Sequence, residues 1–81
     1  SFQVVLEGGA PWGFRLQGGL EFAEPITIAK VNPNSKAGNQ GIKVGDCIRT
    51  VNGRSAEGLP HKEALQLIRN ANSRLSLQLH R

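Results

Sequence analysis

The sequence predicts a mainly β fold: about six short antiparallel strands in a small, partly open sandwich or barrel, capped by two α-helices. Three observations lead there. Short β-branched and apolar runs are separated by Gly, Pro and Asn turn signals. The run RLSLQLH, Arg74 to His80, alternates strictly, with Leu75, Leu77 and Leu79 on one face and Ser76, Gln78 and His80 on the other. Only two stretches carry a helical period.

Each element has its own signal. FQVVL, Phe2 to Leu6, is β-branched and apolar and reads as the opening strand. EGGA loosens the chain before Pro11. FRLQ, Phe14 to Gln17, suits a strand with one buried face, and Gly18-Gly19 ends it. ITIAKV, Ile26 to Val31, is a third strand stopped by the turn-forming NPNS. A short helix fits Lys36 to Gln40, capped by Ser35 or Asn34 and closed by Gly41. CIRTV, Cys47 to Val51, is a strand, and Asn52-Gly53 after it is a tight-turn signal. The longer helix starts at Pro60 or His61 and runs to about Asn70, with Pro well placed in a first turn. At 100° per residue, His61, Leu65 and Ile68 share one sector, while Ala64, Leu67 and Ala71 form an adjacent one. Two readings stay open: a broad buried stripe beside a surface histidine, or a helix that also walls a second feature.

The 81 residues suffice for one domain, 1–81, with a single modest core. A start at Ser1 and an end just after a strand-like run predict a module excised from a longer chain. Ten basic residues against six acidic ones give a net charge of +4. The cations are scattered, whereas a nucleic-acid surface needs a concentrated basic stripe with interleaved aromatics. The expectation is a basic surface without nucleic acid as partner and with at most weak attraction to anionic lipid or acidic peptides. No run approaches the length of a membrane span and no signal-peptide pattern is present. The single cysteine, Cys47, excludes an internal disulfide and fits a reducing, cytoplasmic setting.

Catalytic signals are missing, so the chain is read as no enzyme. There is no G-x-S-x-G, and Asp46 is the only aspartate. His61, His80 and Cys47 lack metal-ligand spacing, so no metal is expected. The glycines match neither a P-loop nor G-x-G-x-x-G, and no cofactor is implied. Glu7, Glu21, Glu24, Glu57 and Glu63 fall in loops or on solvated faces.

One oddity remains: APWGFRLQGG puts the only tryptophan and one of three phenylalanines into a glycine-flanked loop. PWGF followed by a strand, then NPNSKAGNQGIKVGDCIRTVNG, then HKEALQLIRNA, together resemble the PDZ domain over nearly the whole chain, and GIKVGDCIRTVNG, Gly41 to Gly53, is the most specific piece. The PWGF loop with RLQGG after it is similar to the actin-associated PDZ-LIM (ALP and Enigma) and myopodin-like, synaptopodin-family subgroup. The resemblance implies a PDZ-like fold and a non-catalytic adaptor that binds C-terminal tails as an added strand between the second strand and the long helix. It further implies a carboxylate-binding loop at Pro11, Trp12, Gly13 and Phe14, and a peptide-pairing strand of Phe14, Arg15, Leu16 and Gln17. Trp12, Phe14, Leu16, Leu65 and Ile68 would make the pocket for the last apolar side chain, although plain core filling remains open for Trp12.

His61 stands where the family's selectivity histidine sits, which implies class I ligands, [Ser/Thr]-x-[Leu/Val/Ile]-COOH. Arg15, Gln17 and Lys62 would flank the groove and favour acidic ligand residues upstream. The subgroup implies α-actinin-like partners, a place on actin fibres and the Z-disc, and a scaffolding role for a monomer. Two positions depart from the family's commonest pattern. Glu7 replaces a basic residue that often assists the carboxylate, and Pro60 replaces a Ser or Thr cap before the histidine. Glu7 keeps one alternative open, an internal-motif or self-association scaffold; a third reading, a regulatory domain cut from a PDZ-bearing protease, has no support in these residues. The expected Kd is roughly 1–100 μM, from one buried aliphatic side chain, a few backbone hydrogen bonds and the cost of ordering a peptide.

Overall fold

The computed structural model describes residues 1–81. In chain order the elements are β1 (Phe2–Glu7), β2 (Phe14–Gly19), β3 (Glu24–Val31), α1 (Lys36–Asn39), β4 (Cys47–Val51), β5 (Arg54–Ser55), α2 (His61–Arg69) and β6 (Arg74–His80). A single 3-10 turn, Leu20–Phe22, joins β2 to β3.

The leucine alternation sets the centre. Leu75, Leu77 and Leu79 are fully buried, and β6 lies between β1 and β4, antiparallel to both. Leu77 stands opposite Val4 on one side and Val51 on the other. The sheet runs in the order β1-β6-β4-β3-β2, and β5 pairs only with β4, beyond the Asn52-Gly53 turn. Consequently β1 and β2 are the two edges. Ile26, Ile28, Ile48 and Val51 join the leucines, and α2 closes the core with Ala64 and Ile68.

The buried side of α2 is narrower than its apolar residues suggest. Ala64 and Ile68 are buried with Ala71 just beyond the helix end, while Leu65 and Leu67 are only half-buried on either flank. The helix is therefore both core cover and wall. Ser35, rather than Asn34, caps α1, its Oγ accepting from the Gly38 amide at 3.1 Å.

Two boundaries differ from expectation. Gly18 and Gly19 belong to β2 instead of ending it, and both are buried. The start of α2 lies against them: a Cβ on Gly19 would stand 2.6 Å from the His61 nitrogen. β3 likewise begins early, at Glu24, since the intervening turn is a compact 3-10 turn rather than an open loop.

Asp46, 2% exposed, is the one buried charged residue. It accepts from the Lys43 amide at 2.9 Å and from Arg81 Nε at 2.9 Å, and Arg81 also donates to the Gly41 carbonyl at 2.6 Å. This tie joins the turn before β4 to the end of β6.

Candidate functional site

Between the edge strand β2 and α2 lies a groove of about 570 Å³, closed at one end by the loop from Ala10 to Gly13. Phe14 and Leu16 from β2 and His61, Leu65 and Ile68 from α2 form its sides. Pro11, Trp12, Gly13 and Arg15 also line it. Trp12 is at the same time core: it is 6% exposed, belongs to the buried cluster, and has Lys36 Nζ 5.7 Å from its ring centroid. It fills the interior beneath the loop, so the loop is built on a core anchor.

Two expected flanking residues lie outside the lining of the groove proper. Gln17 lines an adjoining hollow that shares Leu16 and His61 with the groove. Lys62 is exposed, one residue along α2 from His61. Lys30 of β3 and Asn32 just beyond it also enter the groove lining.

The loop's polar groups follow from how it is braced. The Trp12 carbonyl accepts from the Ala37 amide at 2.9 Å, and the Gly13 carbonyl from the Asn32 amide at 2.9 Å. A trans peptide sets its N–H opposite its C=O, and the only cis bond is Ala10–Pro11. The amides of Gly13 and Phe14 therefore point away from α1 and β3. Neither the Trp12 nor the Gly13 amide donates to a protein acceptor. Successive unpaired N–H groups at a turn are an anion cradle. Gly13 makes this turn possible: its φ is +93°, and a Cβ there would overlap Ser35 Cβ and Oγ.

The β2 edge is open in the same sense. The Asn32-to-Gly13 bond marks Phe14–Val31 as a pair whose own groups do not bond each other. Opposite Leu16, Ile28 donates to Asp46 and accepts from Gly45, so it too spends nothing on β2. Phe14 and Leu16 thus present N–H and C=O to the groove, where an added strand can pair.

Electrostatics around the loop are indirect. Glu7 lies opposite Arg74 in the β1–β6 ladder and pairs with it at 3.3 Å. Lys36 holds the Gly9 carbonyl behind the loop. Arg15 and Lys30 stand directly opposite each other, both exposed, both lining the groove, and neither in an ion pair.

His61 is held at the groove's other end. Its Nδ1 lies 2.8 Å from the Gly18 carbonyl, which can only accept, so Nδ1 carries the proton. In the neutral ring Nε2 is then the acceptor. The His61 amide donates to Glu21 Oε1 at 2.9 Å. That bond, with one from Glu21's own amide, holds the Glu21 carboxyl below its ordinary 4.5. Glu21 escaped sequence reasoning, since its partner is 40 residues away. No group of three His, Cys, Asp or Glu side chains could hold a metal ion, and no helix is long and apolar enough to cross a membrane.

Comparison with known proteins gives one answer. The family model of the PDZ domain matches residues 1–80. Bovine PDZ and LIM domain protein 7 is 52% identical over all 81 residues, and human PDZ and LIM domain protein 2 is 47% identical over 96% of the chain. Human LIM domain-binding protein 3 is 41% identical over the whole chain. The chain spans only 19%, 22% and 11% of those three proteins. Among solved structures, Dlg1 PDZ2 of the choanoflagellate Monosiga brevicollis superposes with a TM-score of 0.89 at 31% identity, covering 99% of this chain and 97% of that one.

Proposed function

The chain belongs to the PDZ family, and on that premise we propose that it is a non-catalytic adaptor capturing protein C-termini of the form [Ser/Thr]-x-[Leu/Val/Ile]-COOH. The observation that carries this reading is the pair of outward N–H groups on Gly13 and Phe14 at the end of an open β2 edge. A ligand strand runs antiparallel to β2, bonding the free groups of Phe14 and Leu16. Its carboxylate sits on the amides of Trp12, Gly13 and Phe14, with Pro11 stiffening the loop at a place that need not donate. Its final side chain enters the hollow of Phe14, Leu16, Leu65 and Ile68, floored by Trp12. Two residues earlier, a hydroxyl donates to His61 Nε2. Successive strand residues face opposite ways, so the ligand residues between these anchors meet the side of β2 that carries Arg15 and Lys30.

The likeness to PDZ and LIM domain proteins supports the cellular reading: an intracellular scaffold on actin fibres and the Z-disc, with α-actinin-like tails as the first partners to test. A labelled peptide ending in Ser-x-Leu-COOH, titrated beside its C-terminal amide, tests the mechanism. Binding of the acid should exceed that of the amide by roughly 10- to 150-fold, the worth of hydrogen bonds to a charged group. Equal binding of both forms overturns it. A second reading, an internal-motif or self-pairing scaffold, draws on Glu7: with that residue held by Arg74, no basic side chain from β1 reaches toward the loop.

A further inference from the structure

The long helix α2 begins without a cap of its own. Pro60 precedes it and offers no side-chain acceptor, so the first amides need partners from elsewhere. Glu63 and Ala64 donate back to the Pro60 carbonyl at 3.0 and 3.2 Å. The His61 amide is served from across the groove's end, by the carboxylate of Glu21. Glu21 sits in the 3-10 turn, and that turn is tied to the approach of α2 a second time, by the Leu20 amide donating to the Leu59 carbonyl at 2.9 Å. Gly19 lets the two segments close: a Cβ there would lie 2.5 Å from Glu21 Oε1 and 2.6 Å from the His61 nitrogen.

His61 is therefore gripped at two points, its amide by Glu21 and its ring by the Gly18 carbonyl. Either contact alone leaves freedom. The ring bond fixes the tautomer only while the His61 backbone stays within reach of Gly18, and the amide bond is what sets that backbone against the β2 side. A carboxylate is suited to the task because a helix N-terminus favours negative charge. A local Ser or Thr cap would satisfy the helix equally well, yet it would not connect α2 to the turn after β2.

We infer that Glu21 is a positioning residue for ligand selection: from the β2–β3 turn it seats the first residue of α2, so that Nδ1 of His61 stays on Gly18 and Nε2 is left as acceptor for the ligand hydroxyl. This rests on the reading of the groove given above and adds a residue that touches no ligand.

The test uses two peptides differing only in Ser or Ala two positions before a C-terminal Leu. Their Kd values are measured for the wild type, Glu21→Ala, Glu21→Gln and His61→Ala, alongside ring nitrogen chemical shifts of His61 in the ligand-free wild type and Glu21 variants. Glu21 is exposed, so thermal midpoints should confirm that its variants fold. The wild type should favour the Ser peptide by about 2- to 12-fold, the worth of one hydrogen bond. Glu21→Ala should bring that ratio to less than half and mix the ring tautomers. Glu21→Gln, which keeps an acceptor oxygen, should retain most of the ratio. An unchanged ratio and tautomer in Glu21→Ala overturn the inference, and so does equal loss in Glu21→Gln, which would assign the effect to charge instead of the capping bond. A wild type showing no Ser preference, or His61→Ala showing the same preference, overturns the groove reading itself. The tautomer measurement needs no ligand, so it still judges the seating of His61 by Glu21.

Discussion

Gly13 shows how much of the site depends on a single missing side chain. Its φ of +93° is a conformation that L-residues adopt at a cost of about 1–2 kcal/mol, and a Cβ would also collide with Ser35, the cap of α1. Gly41, at φ +81°, provides the control, because a Cβ there meets nothing within 4 Å. Gly41→Ala should lower stability by about 1 kcal/mol through backbone strain alone. Gly13→Ala should cost more, about 2–3 kcal/mol, and weaken binding of a Ser-x-Leu-COOH peptide at least tenfold. Urea midpoints and peptide titrations read the two effects separately; equal losses at the two glycines would show that the contact with Ser35 does not constrain the loop. Glu21 makes a second prediction at this scale. Its folded-state pKa is depressed below 4.5, chiefly by the His61 amide. The stabilisation it contributes is thus complete above the ordinary carboxylate range and is lost as pH falls through the lower folded value. In an NMR titration the His61 amide should follow the Glu21 carboxyl, with a shared midpoint below 4.5. A midpoint at or above 4.5 contradicts the capping bond.

At the scale of elements, β2 is an edge strand with a charge problem. Arg15 and Lys30 are like charges directly across the β2–β3 ladder, an unfavourable placement. An added ligand strand carrying Asp or Glu on that side would relieve it. Exchanging Asp for Lys at the ligand's penultimate position should therefore weaken binding by roughly 3- to 10-fold at low salt, and by less at 0.5 M salt, since exposed charges are screened. Fluorescence polarisation at two ionic strengths checks this, and a salt-independent difference would remove Arg15 and Lys30 from the explanation. Arg15 was legible in the sequence as a flanking cation; Lys30 was not, because its position beside Arg15 depends on strand register. The same division runs through the whole chain. The alternation of Leu75, Leu77 and Leu79 displayed β6 outright, and the apolar runs displayed β1, β3 and β4, since burial on one or both faces is written into consecutive residues. What depends on distant partners was hidden. Gly18-Gly19 read as a stop because glycine usually breaks a strand, yet here it continues one where α2 presses close. Glu21 read as a solvated loop acid, since nothing local marks a residue whose partner is the first amide of a remote helix.

The molecule as a whole has two open sheet edges, and their difference decides between tail capture and self-pairing. β1 lies outermost beside β6, and β2 lies outermost beside β3. Unprotected edges invite pairing with another copy, and proteins discourage this with charge, bulges and twist. β2 has charge and bulges: Arg15 on its exposed side and register shifts at Arg15/Leu16 and Gln17/Gly19. β1 bears Gln3 and Glu7 on its exposed positions, and Glu7 is already paired with Arg74. A net charge of +4 on so small a body adds repulsion between copies. A peptide evades these barriers, because it is flexible enough to follow the bulged edge and brings a carboxylate for the loop. Two copies of the domain would have to match rigid, bulged edges and bring their cations together. The isolated domain should therefore sediment as a monomer from micromolar to millimolar concentration at physiological salt. If instead the mass doubles with concentration, a Ser-x-Leu-COOH peptide must be added to the same cell. Dissociation by the peptide would show that both use the β2 edge and would favour the self-pairing scaffold, while a dimer indifferent to peptide would locate the contact on β1 and leave tail capture intact.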